Sequence, residues 1–320
     1  MPIYDVFNGD ADGICALLQL RLSDPTDSTL ITGVKRDIQL LKQVDAKKGD
    51  KINVLDISLD KNREALEGCL VSGASVRYFD HHNPGNIPEH PLLEEHINTD
   101  SNTCTSLIVN HALNNQFPLW AITGAFGDNM ESSALVLCQE NKLNEEQIEQ
   151  LKSLGTYINY NGYGPSEDLL HFPPAELFKL LLPFSNPLEF IQKNKTVFEK
   201  LKNGYQDDLR AAQELKPFKL QQSSAIYMLP NLPWAKRVSG VFGNQLASDT
   251  PSRAHAIITE LDDLFYLVSI RAPLENKTGA DEISMQFPTG GGRKGAAGIN
   301  KLPSNQLDKF IAVFENYYAS

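Results

Sequence analysis

"VFNGDADG" (residues 6–13) joins a strand-like apolar start to two carboxylates one residue apart and a closing glycine. The run before it, "PIYDVF" (2–7), has the composition of a strand, and "GICALLQLRL" (13–22) after it has that of a buried helix. The acidic pair therefore falls at a strand-to-helix turn. Asp10 and Asp12 flank Ala11, so extended backbone would point them the same way, and beyond the strand end they can diverge toward two ions. A plainer reading also applies, because Asp and Gly form turns and an Asp after a strand commonly caps the next helix.

The pattern repeats along the chain. "LITGV" (30–34), "KINVLDIS" (51–58) and "SVRYFD" (75–80) read as strands, with the amphipathic "NREALEGCLV" (62–71) between the last two. Such alternation predicts βα units and a mainly parallel sheet, whose sites collect at the carboxyl ends of strands. Apolar runs end there in Asp10 and Asp12, in Asp56 and in Asp80, which leads directly into His81 and His82. Asp128 follows in "LWAITGAFGDNMESSALVL" (119–137), a helical pattern interrupted at "GDN". Before it, "NTDSNTCTSLIVNHAL" (98–113) reads as a polar loop feeding a helix, with Ser101 and Thr103 as candidate caps or anion contacts. Mixed carboxylate and imidazole shells suit hard divalent ions such as Mn or Mg, and a pair of ions about 4 Å apart can clamp a phosphoryl group. Each acid alone reads equally as a cap or turn residue, and the His pair as a polar surface feature.

The 320 residues suffice for two domains, and 41% hydrophobic with 22% charged residues and a mean hydropathy of −0.29 describe a globular chain. A formal net charge of −11 argues against coating long nucleic acid, whose affinity comes from Lys and Arg on phosphates, but admits small anions through bound cations. The start "MPIYDVFNGD" shows no leader pattern, and no run approaches the roughly 18 apolar residues of a membrane span. A cytoplasmic, non-membrane protein is expected. Cys15, Cys69, Cys104 and Cys138 form no C-x-x-C pair and are expected to be buried free thiols. Charged, helix-like sequence fills 187–218; strands are then expected at "SAIYMLP" (224–230), "AHAIITEL" (254–261) and "LFYLVSIRAP" (264–273), with a helix at "SGVFGNQLASD" (239–249). Phe265 and Tyr266 are expected as core. The final "FPTGGGRKGAAGIN" (287–300) reads as a glycine-rich loop whose N–H groups can approach an anion, or as a plain flexible loop.

The ordered motifs "NGDADG", "VLDIS", "FDHH" and "GAFGDN", with "VSIRAP" and "TGGGRKGAAG" near the end, closely resemble those of the DHH phosphoesterase superfamily. That superfamily includes RecJ-type exonucleases, nano-RNases and family II pyrophosphatases. The resemblance implies an α/β catalytic domain over residues 1–185, its mainly parallel sheet flanked by helices, then a helical linker over 186–218. A smaller α/β substrate-binding domain over 219–320 would face the first across a cleft. It implies two divalent cations, Mn or Mg: Asp10 on one, Asp12 on the other, Asp56 bridging, and His81 and Asp128 completing the second. Asp80 would orient His81, and His82 would lie near the scissile phosphate. Arg271, Gly290, Gly291, Gly292 and Arg293 would hold the substrate. Two departures stand out: Val6 occupies the place of a usual histidine before the first metal-binding Asp, and Arg293 replaces the histidine of the glycine signature. Asn8 could offer a ligand or hold a water at the first ion.

The expected activity is two-metal hydrolysis of short single-stranded RNA or DNA from an end. The rivals are a phosphohydrolase of cyclic or linear dinucleotides, nucleoside bisphosphates or inorganic phosphate chains, and a nucleotide-binding protein whose metal centre has decayed. Oligomeric state is not legible in the sequence.

Overall fold

The computed structural model describes residues 1–262 and 264–319. It divides into two compact units, Met1–Gly204 and Tyr205–Ser320. In the first, β1 (Ile3–Phe7), α1 (Ala11–Ser23), β2 (Thr29–Ile31), β3 (Lys51–Leu55), α2 (Leu59–Val71), β4 (Ser75–Asp80) and β5 (Leu93–Ile97) build a parallel sheet of order β2-β1-β3-β4-β5. The order reverses at β1, the kind of switch point beside which α/β sheets open a crevice at their carboxyl ends. Register does the positioning. Phe7 pairs with Leu55, and Leu55 with Phe79, so the residues that follow, Asp10, Asp56 and Asp80, emerge level with one another.

The strands form where β-branched and aromatic residues concentrate, and both sheet faces are covered. Phe7, Leu55 and Phe79 pack with α1 in one core, and Val6, Val54, Val76 and Tyr78 pack with α2 in another. Helix α1 is buried from Ala11 to Arg21, which explains its nearly continuous apolar sequence. A helical layer follows: α3 (Thr105–Ala112), α4 (Pro118–Gly127), α5 (Glu131–Glu140), α6 (Glu145–Asn161), α7 (Pro174–Leu181), α8 (Pro187–Lys193) and α9 (Lys195–Gln213). The stretch expected to be one connecting helix is thus two, parted at Asn194, and the division between units falls inside α9. Helices α4 and α6 approach closely because Gly127 and Gly155 face each other; a Cβ on Gly155 would lie 2.2 Å from the Thr123 carbonyl oxygen.

The second unit contains β6 (Lys219–Leu220), β7 (Ser224–Leu229), α10 (Pro233–Asp249), β8 (Ala254–Glu260), β9 (Phe265–Arg271), α11 (Ala280–Ser284), β10 (Gly290–Arg293), β11 (Ala296–Pro303) and α12 (Leu307–Tyr318). Its mixed sheet runs β10-β11-β9-β8-β7-β6, with β7 and β8 parallel and the other neighbours antiparallel. Alternation along β8 splits its faces: Ile257 packs with Phe242 of α10, while Ala256 and Ile258 pack with Phe310 and Phe314 of α12. Tyr266 joins that second core, and Phe265 is half-buried.

One expectation changes here. The glycine run is not a loop but the edge strand β10 of a hairpin, because pairing with β11 satisfies its backbone and only glycine fits at Gly290, where a Cβ would meet the Ser284 carbonyl at 1.8 Å. Arg271 ends β9, an inner strand between β11 and β8. Among the described residues, all four cysteines are free and buried, and no helix is long and apolar enough to cross a membrane.

Candidate metal centre

Asp10 ends the turn after β1 as the cap of α1, its Oδ1 accepting the N–H groups of Asp12 (3.0 Å) and Gly13 (3.1 Å). Asn8 fixes the turn: its Oδ1 accepts the Asp10 N–H at 3.2 Å and its Nδ2 donates to the Lys35 carbonyl at 3.2 Å. Asp12, in the first turn of α1, caps a different helix. Its two oxygens accept the N–H groups of Thr105 and Ser106, each at 2.7 Å, at the start of α3. Ser101 and Thr103 therefore do not cap α3; Cys104 holds the cap position without a side-chain bond, and a carboxylate from 93 residues away supplies the acceptors. A charged acceptor at the positive end of a helix is the stronger arrangement.

Asp56 follows β3 with φ of 60°, in the left-handed region that Asp tolerates better than most residues. It is buried, and its Oδ1 accepts the Thr105 hydroxyl at 3.0 Å. His81 Nε2 lies 3.5 Å from Asp56 Oδ1 and 3.7 Å from Asp128 Oδ2, Asp128 being the residue that closes α4. Asp80 is fully buried, and its Oδ1 takes the His81 backbone N–H (2.9 Å) and the His82 Nδ1 (2.7 Å). It thus orients the imidazole of His82 rather than that of His81. The other oxygen, Asp80 Oδ2, is buried with no hydrogen-bond partner among the described residues.

Electrostatics follow from crowding. Burial, and then the charges of Asp12, Asp10, Asp128 and Asp80, push the Asp56 carboxyl well above its ordinary range. Burial and Asp12 likewise raise Asp128 to about 6, with Lys35 and His81 opposing. Burial works in the same direction on Asp10, but the charge and hydrogen bond of Lys35, with further bonds from Gly13 and Asp56, hold it below the usual value. The hydrogen bond to Asp80 raises His82. Lys35 was not singled out in the sequence; the only hint was a lysine just past a short strand, in "LITGVKRD" (30–37). Its Nζ lies 2.5 Å from Asp10 Oδ2, 3.0 Å from Asn159 Oδ1 and 3.5 Å from Asp128 Oδ1.

Among the described residues, two groups have ligand atoms all within 4.8 Å of one another: Asp56, His81 and His82, and Asp12, His81 and Asp128. Their chemistry fits a hard divalent cation. Oxygen and imidazole donors converge, the acids are crowded enough to resist ionising together, and a buried carboxylate oxygen stands beside them unpartnered. Asp10 belongs to neither group.

Arg271 and Gly290–Arg293 lie in the second unit. There a cavity of about 430 Å³ is lined by Arg271, Arg293, Lys277, Asn244, Ser248 and the chain around Gly295. Arg271 spans β9 and α10, donating to Asn244 Oδ1 (2.6 Å) and the Gly240 carbonyl (3.2 Å), whereas Arg293 is exposed. Lys277, in the loop after β9, is a third cation that the sequence motifs did not single out.

No protein-family model matches the sequence, and no curated protein does. Solved structures match in fold. A DHH-domain protein described as a member of a family of ribosomal proteins is similar over 99% of this chain and 86% of its own, with 14% identity and a TM-score of 0.67. Exonuclease RecJ bound to manganese is similar over 99% and 90%, at 16% identity and a TM-score of 0.66. PggH, a pGpG-specific phosphodiesterase from Vibrio cholerae, is similar over 100% and 99%, at 14% identity and a TM-score of 0.61. These likenesses run through both units at low identity, and what they establish is the fold, which this chain shares with the DHH-domain protein, RecJ and PggH.

Proposed function

We propose that the protein is a divalent-cation-dependent phosphodiesterase that shortens small single-stranded nucleic acids from an end. The observation that carries this is the convergence of Asp12, Asp56, His81 and Asp128 at the carboxyl ends of a parallel sheet, beside a hydrogen-bonded Asp80–His82 pair. A divalent cation held by those ligands, Mn or Mg, supplies positive charge to a phosphoryl oxygen and acidifies water. Asp80 accepts the Nδ1 proton of His82 and favours its protonated form, in which Nε2 can donate toward the leaving oxygen. Thr105 and Ser106 fix Asp12 and Asp56 in place, and each carboxylate oxygen keeps a second lone pair that a cation could use. In this reading Arg293, Arg271 and Lys277 of the second unit bind substrate phosphate.

A linear dinucleotide is the second reading. It is favoured by the likeness to PggH, which this chain matches over nearly the full length of both, and by the net charge of −11. One assay separates them: a labelled pentanucleotide RNA, its DNA counterpart, pGpG and a cyclic dinucleotide, each with Mn. Stepwise shortening of the pentamer supports the first reading. Cleavage of pGpG alone supports the second. If cation-loaded protein cleaves none of these, nor bis-p-nitrophenyl phosphate, the phosphodiesterase proposal fails and the decayed nucleotide-binding protein stands.

A further inference from the structure

We infer that the ammonium of Lys35 permanently takes the place of one of two cations, so that the centre binds a single divalent ion per chain. The inference rests on the cation-dependent reading above and concerns how many ions that site accepts.

Three oxygens from three elements surround the ammonium: Asp10 Oδ2 from the cap of α1, Asn159 Oδ1 from α6 and Asp128 Oδ1 from the end of α4. The first two accept hydrogen bonds from the ammonium, and Asp128 adds an ion pair at 3.5 Å. The lysine side chain is partly exposed, but its backbone is fixed. Its backbone N–H donates to the Gly162 carbonyl at 2.9 Å and its carbonyl accepts from Asn8 Nδ2, so both ends of the residue are pinned beside the acidic pair.

Asp10 is the acid that the family resemblance assigns to a first ion, and unlike Asp12 it already carries a cation of the chain. Oδ1 takes the two backbone N–H groups of the helix cap, and Oδ2 takes Lys35. Asp56, His81 and His82, and Asp12, His81 and Asp128, form two groups that share His81, and Asp10 is outside both. At position 6, where a further imidazole would be needed, the chain has Val6, fully buried among Leu40, Val54 and Tyr78. The charge that balances Asp10 therefore comes from the chain itself. A buried acid paired this way does not depend on the metal supply.

The test uses the full chain and Mn alone, read by native mass spectrometry and by electron paramagnetic resonance. Wild type should bind one Mn per chain, with an uncoupled six-line spectrum up to millimolar Mn. Lys35→Met should bind a second Mn and show the exchange-coupled spectrum of a pair, while Lys35→Arg should keep one. Two coupled ions in the wild type overturn the inference and need no variant to be folded. A Lys35→Met protein that folds and still binds one ion also overturns it, since the lysine would not be what excludes the second. If wild type binds no Mn, or Asp56→Ala leaves binding unchanged, it is the cation-dependent reading itself that fails.

Discussion

The two ends of one parallel sheet treat buried carboxylates in opposite ways. Toward the amino end, Asp5 of β1 is fully buried and fully satisfied: Arg21 of α1 grips it through two nitrogens at 2.6 and 2.7 Å, Ser28 donates at 2.5 Å and Asn53 of β3 at 2.7 Å. At the carboxyl end, Asp56, Asp128 and Asp80 crowd one another with too few donors, and Asp80 keeps one oxygen unpartnered. Both ends lie in the same unit and bury the same chemical group. The difference separates a charge whose partners come from the chain itself from charges for which the chain supplies too few.

The contrast meets its most severe test at Asp5. Asp5→Ala leaves Arg21 buried without its counter-charge and should cost about 3–5 kcal/mol, seen as a lower urea midpoint, with Mn stoichiometry unchanged. Asp56→Asn should do the reverse. Asn keeps the acceptor for Thr105 and tolerates the left-handed backbone, so the cation-free protein should gain roughly 1 kcal/mol or more as a crowded charge is removed. Phosphodiester hydrolysis by the same variant should fall about a hundredfold or further.

A pH titration probes the crowded end directly. Asp128 has its folded pKa, about 6, above its ordinary value, so it contributes stability that is complete below the unfolded pKa and lost as pH rises through 6. In EDTA, wild type measured against Asp128→Asn should therefore gain about 2–3 kcal/mol on going from pH 7 to pH 4. With Mn bound the sign should reverse, since protons and cation compete for one carboxylate. A smaller effect is expected in the second unit, where Arg293→Ala should weaken phosphate-ester binding about tenfold and leave Mn binding unchanged.

The parallel sheet was legible because its strands are short apolar runs parted by amphipathic ones, and the acids were legible because they sit directly after those runs. Strand β5 was not, since "LEEHI" carries no apolar run; its pairing with β4 makes it a strand. Nor was the use of Asp12 as a cap for α3, a contact across 93 residues, or the strand character of the glycine run. Local composition reports what a segment does with its own backbone. It does not report whose backbone another side chain will satisfy.

The order of residues alone carries the α/β class, the succession of motifs and the acids and histidines that stand at strand ends, because periodicity and turn chemistry act over a few residues. Folding in three dimensions was needed to set Asp80 against His82, to place Arg271 inside its sheet and to bring Lys35 to Asp10. Those outcomes depend on strand register and helix packing, which bring together charges far apart in the chain and set which of them find partners.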